Sequence, residues 1–155
     1  RFGVPASKPA AVAAAAEFEP APDSARDFVE RAIQDPEQPV VMFALEWCEF
    51  CWAVRRFLRD MGVPLRSVDL DSVAIQANGL GGDIRKVLHA LTGQPTIPQI
   101  FIGGVHIGGA VDLLDLHDRG ELVPLLSKFG ATPAGNPALV ARSYLPKWLV
   151  ARSAA

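Results

Sequence analysis

The chain is poor in the residues that hold metals or staple small folds: it has two cysteines and three histidines over 155 residues. Two cysteines cannot build a disulfide framework, and the wide scatter of His89, His106 and His117 weighs against a zinc site around a cysteine pair, which stays the main structural alternative for that pair, ahead of a plain structural disulfide. Positive charge is not in excess either. The formal net charge is −2, so nothing in the composition draws the chain to nucleic acid or to a membrane surface. No uninterrupted apolar stretch is long enough to span a bilayer, and Val12–Ala16 is too short and too alanine-rich to read as a signal peptide. What is present is a composition 50% hydrophobic, enough to bury one compact core.

Both cysteines fall in one motif, Cys48-Glu49-Phe50-Cys51, directly after an apolar run, Val40 to Leu45, that reads as a buried strand. Val54, Phe57, Leu58 and Met61 then carry helical periodicity, which places the motif at a strand-to-helix junction. A thiolate is the form that attacks a disulfide, and the unpaired N–H groups and positive dipole end of a helix start favour it. Cys48 is therefore read as the attacking residue. Cys51, one turn on along the same face, is close enough to form a disulfide with it and is expected to be buried and less reactive. With no structural cysteines beside this pair, the chain fits a reducing compartment, read as the cytoplasm.

A second signal is Thr96-Ile97-Pro98 before the apolar run Gln99 to Ile102. A cis proline there would leave the preceding backbone free to pair with an extended ligand, whereas the plainer reading is a proline that opens a strand. Gly103-Gly104 marks a hairpin turn into Val105-His106-Ile107, and Gly108-Gly109 leads to a helix-like stretch from Ala110 to His117. Asp112 stands in that helix's first turn. It either binds a ligand or complements the helix dipole.

Taken in order and spacing, WCEFC, TGQPTIPQIFIGG, HIGG and the segment Leu114 to Leu122 resemble a glutaredoxin from Pro39 to about Gly130. The resemblance implies an α/β, thioredoxin-like fold: a four-stranded mixed sheet with helices on both faces. The residues give the same elements. Pro39–Leu45 and Leu65–Leu70 flank the CxxC helix as a parallel pair, Gly82-Asp83 starts a helix that stops at Gly93, Gln99–Ile107 is an antiparallel hairpin, and terminal helices run over about 110–117 and 121–129. By resemblance, glutathione would be held by Thr96, Ile97, Pro98, Gly109, Val111 and Asp112. The implied partners are glutathione and proteins that carry disulfides or glutathione adducts.

Departures from the family pattern bear on which activity follows. Many members have proline after the first cysteine and lysine three residues before it; Glu49 and Leu45 stand there in this chain. Pro95 replaces a residue that is often polar or basic, and Ala110-Val111 replace a more usual Cys-Asp or Cys-Ser before Asp112. Arg55 and Arg56 are read as solvated helix-face residues, with compensation of the missing charge as the alternative. The resemblance favours a glutathione-dependent thiol–disulfide oxidoreductase working as a monomer through Cys48 and Cys51. Its alternatives are a dimer bridged by a [2Fe-2S] cluster ligated by Cys48 and glutathione, and a redox domain serving a fused or docked enzyme.

Outside that core the pattern changes. Residues 1–22 are an Ala/Pro-rich linker or arm, and Asp23-Ser24 are expected to cap an added helix that carries Phe28, Val29 and Ile33, so that the domain spans 23–130. Residues 131–155 form a C-terminal extension after the break at Thr132–Pro137, and its apolar residues either pack back on the domain or face another domain or subunit. The chain begins with arginine, which is compatible with a fragment, a trimmed form or part of a longer, multidomain protein.

Overall fold

The computed structural model describes residues 21–149; of the arm read over 1–22, all but Ala21 and Pro22 lies outside them. The elements are α1 (Asp23–Gln34), β1 (Val40–Ala44), α2 (Glu49–Met61), β2 (Arg66–Asp69), α3 (Val73–Gln76), α4 (Leu80–Thr92), β3 (Gln99–Ile102), β4 (Val105–Gly108), α5 (Ala110–Asp118), α6 (Leu122–Lys128) and a 3-10 turn (Ala141–Tyr144). Strand order in the sheet is β2-β1-β3-β4. β1 is central, parallel to β2 and antiparallel to β3, which pairs antiparallel with β4.

Both faces of the sheet are covered, so β1 is apolar along its whole length and every one of its residues is buried. Val40, Met42 and Ala44 point to a core shared with Val54, Phe57, Leu58 and Met61 of α2, Leu113 and Leu114 of α5, and Leu122 and Leu126 of α6. Val41 and Phe43 point the other way, into a second core with Val29 and Ile33 of α1 and Ile84 and Leu88 of α4. This is the four-stranded, two-faced thioredoxin-like arrangement.

Two helix starts and one short helix differ from the expected pattern. α1 begins at Asp23 behind Pro22, with no side-chain cap; Asp23 instead pairs with Arg26 at 3.0 Å within the first turn. An acid at that place complements the dipole without capping. α4 begins at Leu80, ahead of Gly82, because Gly81 lies against the Leu70 carbonyl where a Cβ would collide, so it serves close packing and breaks no helix. The short α3 before it carries no amphipathic period and was not expected.

The C-terminal segment packs back on the domain. Gly135 and Ala134 donate to the Met61 and Gly62 carbonyls at 2.8 and 3.2 Å, so the proline-rich stretch is tied to the end of α2. Farther on, the Ala141 and Arg142 N–H groups donate to the Asp118 carboxylate at 2.9 and 3.1 Å, and the Arg142 side chain pairs with Asp115 at 2.8 Å. Ala141 and Leu145 are buried in the first core, and the Tyr144 ring lies edge-on to Phe57. His117 closes the same seam by bonding the Leu139 carbonyl through Nε2 at 2.9 Å, which makes Nε2 the protonated nitrogen.

Candidate active site

Cys48 is the N-cap of α2, extended at φ −143°, and its Sγ accepts the Cys51 N–H at 3.4 Å. The sulfur thus receives an N–H of the first turn that has no carbonyl within the helix. Cys48 is half-buried and Cys51 is fully buried. Burial pushes the Cys51 thiol up to about 12; its hydrogen bond and proximity to Cys48 add to the rise, while the Leu45 backbone and the Arg55 charge oppose it. One sulfur is available and the other is held in reserve.

On one side of Cys48 stands the loop before β3, where the Ile97-Pro98 bond is cis. Cys48, Ile97 and Val111 are all partly buried against the first core. Thr96 is exposed, Ile97 half-buried and Pro98 buried. A Cβ built on Gly109 would sit 3.6 Å from the Pro98 carbonyl, which puts the start of α5 beside the loop. Asp112 accepts the Gly109 N–H through Oδ2 at 2.8 Å, and its carboxylate fills the space a side chain at Gly108 would need. Gly108 has φ +119°, accessible to glycine alone at low cost. Asp112 is therefore a local helix-start partner in this structure, and the N–H groups of the first turn of α5, Val111 included, have no carbonyl within the helix.

In sequence Gln99 is only the opening of an apolar strand. The structure makes it the tie of the loop: it is 1% exposed, and its Nε2 donates to the Gln94 and Thr96 carbonyls at 2.6 and 3.2 Å. Thr92 Oγ1 lies 3.1 Å from Gln99 Oε1 and accepts the Gln94 N–H at 3.1 Å, closing the network. A polar residue at the head of an otherwise apolar run is the signal that marks it, since a buried amide must be satisfied.

Arg55 is corrected from solvated to engaged. It pairs with Asp69 at 2.6 Å, bonds Ser67 Oγ at 3.2 Å and reaches the Leu45 carbonyl at 3.3 Å. It sits beside the buried thiol as a fixed positive charge. Arg56 instead donates to the Tyr144 carbonyl at 3.4 Å. Glu49, next to Cys48, accepts the indole N–H of Trp148 at 3.1 Å, and Trp148 lies edge-on to Phe50 at 6.2 Å. The C-terminal segment thereby touches both residues between the cysteines, a contact no local motif announces.

A sheet of this order with a cysteine-capped helix after its central strand defines a thioredoxin-like redox domain. The glutaredoxin family model matches residues 40–107. A glutaredoxin of Vernicia fordii is 38% identical over 61% of this chain and 86% of its own length, and monothiol glutaredoxin-S10 of Oryza sativa is 40% identical over 66% of this chain and 58% of its own. The crystal structure of a buckwheat glutaredoxin–glutathione complex aligns with TM-score 0.64 and 31% identity, over 71% of this chain and 94% of that one. The chain belongs to the glutaredoxin family. Membership supports thiol–disulfide oxidoreductase chemistry, in general terms, for the Cys48–Cys51 pair.

Proposed function

We propose that the protein is a glutathione-dependent oxidoreductase that reduces protein disulfides and glutathione mixed disulfides. The observation that carries this reading is the asymmetry of the pair: Cys48 half-buried with its sulfur accepting an N–H, Cys51 buried with its thiol held up to about 12. The Cys48 thiolate attacks the glutathione sulfur of a mixed disulfide, forming a Cys48–glutathione bond, and the protein partner leaves as a thiolate that takes up a proton. A second glutathione thiolate then attacks that glutathione sulfur, releasing oxidised glutathione and restoring Cys48. With a protein disulfide, Cys48 is first joined to the substrate. Cys51 attacks the Cys48 sulfur, the substrate leaves as a dithiol, and two glutathiones reduce the resulting Cys48–Cys51 bond.

The rise of the Cys51 thiol contains its own release. Two of its causes come from Cys48 itself and vanish once that sulfur is bound in a mixed disulfide, while the lowering influence of Arg55 stays. Cys51 thus becomes easier to deprotonate only when there is something to resolve. Glutathione is placed along Thr96, Ile97 and cis-Pro98, with Gly109, Val111 and Asp112 at its other end. The buckwheat relative in complex with glutathione supports glutathione as the ligand, and the cis-Pro98 loop beside the start of α5 supports its place. A reducing compartment, read as the cytoplasm, belongs to the proposal.

The same asymmetry favours a second reading. One accessible sulfur per chain fits a [2Fe-2S] cluster only if Cys48 of two subunits and two glutathione sulfurs share it. Among the described residues no group of three or more His, Cys, Asp or Glu could hold a metal ion within one chain. Visible absorbance of freshly purified protein separates the two. The test of the favoured reading is turnover of a small glutathione mixed disulfide with glutathione, run in parallel with thioredoxin reductase as the sole electron source; activity with the reductase alone overturns it.

A further inference from the structure

All three tryptophans of the chain are solvent-exposed, Trp47 at 82%, Trp52 at 39% and Trp148 at 50%, and all three stand around the CxxC turn. Trp47 and Trp52 are edge-on at 5.9 Å, and Trp148 covers Phe50. Large aromatic side chains left in water in one patch mark a contact surface, and tryptophan and arginine are the side chains most enriched where binding energy concentrates. Between Trp52 and Trp148 runs a groove of about 640 Å³, walled by Arg56 on α2 and by Pro146 and Lys147 of the returning C-terminal segment. It exists only because that segment folds back.

The charges at the groove are unequally engaged. Arg55 is already paired with Asp69, and Glu49 already accepts the Trp148 indole N–H. Nearby, Asp60 is held by Arg59 and the Tyr144 hydroxyl. Arg56 and Lys147 are in no ion pair among the described residues, and both are exposed. Arg56 gives the Tyr144 carbonyl a hydrogen bond at 3.4 Å and its charge acts on Asp60, yet among the described residues neither cation is tied to a carboxylate by an ion pair. Two such exposed cations beside aromatic side chains complement an acidic segment that also carries an apolar side chain. We propose that this groove docks an acidic, apolar-bearing segment of the protein substrate whose disulfide or glutathione adduct is delivered to Cys48. The proposal rests on the oxidoreductase reading and adds the class of protein it prefers.

Three substrates test it: two glutathionylated peptides of equal length, one with Asp and Leu flanking the modified cysteine and one with Lys and Leu, and the mixed disulfide of glutathione with free cysteine. In the parent, KM for the acidic peptide is expected to be lower than for the basic one by about fivefold or more at low salt, the gap closing as salt is added. Arg56→Glu with Lys147→Glu should remove or invert the gap and leave the small disulfide unchanged. Equal KM for both peptides in the parent, or an acidic-peptide KM that ignores the charge reversal, overturns the proposal. Should the reversal variant fail to fold by circular dichroism, the neutral pair Arg56→Gln and Lys147→Gln decides in its place. If the parent turned over none of the three, the oxidoreductase reading would fall alone. Docking is then decided by titrating tryptophan fluorescence with cysteine-free versions of the two peptides: tighter binding of the acidic one supports it, and equal or absent binding overturns it.

Discussion

The two sides of Cys48 are built by opposite means. On the side of cis-Pro98 and α5 the surface is mostly backbone, held in place from beneath by Gln99 and from within by Asp112. On the side of Trp52 and Trp148 it is mostly side chain, assembled from residues up to 99 positions apart in sequence. A backbone-lined surface recognises an extended chain of any sequence, whereas a wall of aromatics and cations selects by composition. The division fits the proposed arrangement, with glutathione on one side and protein substrates on the other.

The sharpest way to break the comparison is at the sulfur both sides share. Cys48→Ser should abolish turnover of every disulfide, and Cys51→Ser should lose reduction of protein disulfides while keeping removal of glutathione. Alkylation by iodoacetamide checks the chemistry behind the split. Because burial holds the Cys51 thiol up to about 12, native protein between about pH 7 and 9 should take one adduct, at Cys48, while denatured protein takes two. Unfolding lowers the Cys51 pKa to the ordinary thiol range, so native stability contributed by the neutral thiol is lost as pH rises from that range toward the raised value. Two adducts on native protein at equal rates would remove the asymmetry on which the mechanism stands.

Next in size is Gln99→Leu, which attacks the backbone side alone. It leaves the Gln94 and Thr96 carbonyls without their donor, each an unsatisfied group costing about 1–3 kcal/mol where water cannot replace it. The loop that precedes Pro98 should loosen, KM for glutathione should rise several-fold, and urea unfolding should shift to lower denaturant. Discrimination between acidic and basic peptides should survive. If both fall together, the two sides are not independent.

That Gln99 was passed over shows where sequence reading stops. CxxC, the proline at the strand head, the glycine turn and the order of strands were legible because each is a local pattern with a local cause, and the elements lie within a few residues of their expected bounds. Arg55 and Trp148 were not, because their roles come from partners brought near by folding: Asp69 on β2 for Arg55 on α2, and Glu49, 99 residues away, for Trp148. The same is true of the break at Thr132–Pro137. Proline and glycine there read as an interruption, yet backbone bonds to the end of α2 make it a seam.

Arg55 offers a smaller effect at the junction of the two sides. Arg55→Met removes the positive charge that favours ionisation of Cys51 and leaves the half-buried Asp69 carboxylate with only the Ser67 hydroxyl. Resolution by Cys51 should slow about three- to tenfold, seen in protein-disulfide reduction but not in removal of glutathione, which never calls on Cys51. Arg55→Lys should restore much of the rate by keeping the charge. A variant that slows both reactions equally would mean that Arg55 acts only through the fold.

The smallest effect belongs to the side-chain-built wall and separates it cleanly from the backbone side. Tyr144 donates its hydroxyl to Asp60 Oδ2 at 2.6 Å, and this bond is the first cause of the lowered Asp60 pKa, with the Arg59 bond and charge behind it. A carboxyl depressed in the folded state stabilises above its unfolded value and loses that contribution as pH falls through the lower, folded one. Acid should therefore loosen the C-terminal segment at Tyr144 before it touches the loop at Pro98. Amide hydrogen exchange over 141–149, corrected for its intrinsic pH dependence, should accelerate modestly as pH drops below the ordinary carboxylate range. Tyr144→Phe should raise exchange at neutral pH and flatten that dependence. The change stays small because Asp118 and Asp115 still anchor Ala141 and Arg142, so the segment frays at one end and remains attached at the other. If Tyr144→Phe left the pH profile of exchange as it was, the Asp60 contact would not be what holds this wall of the groove, and the anchoring would have to be assigned to Asp118 and Asp115 alone.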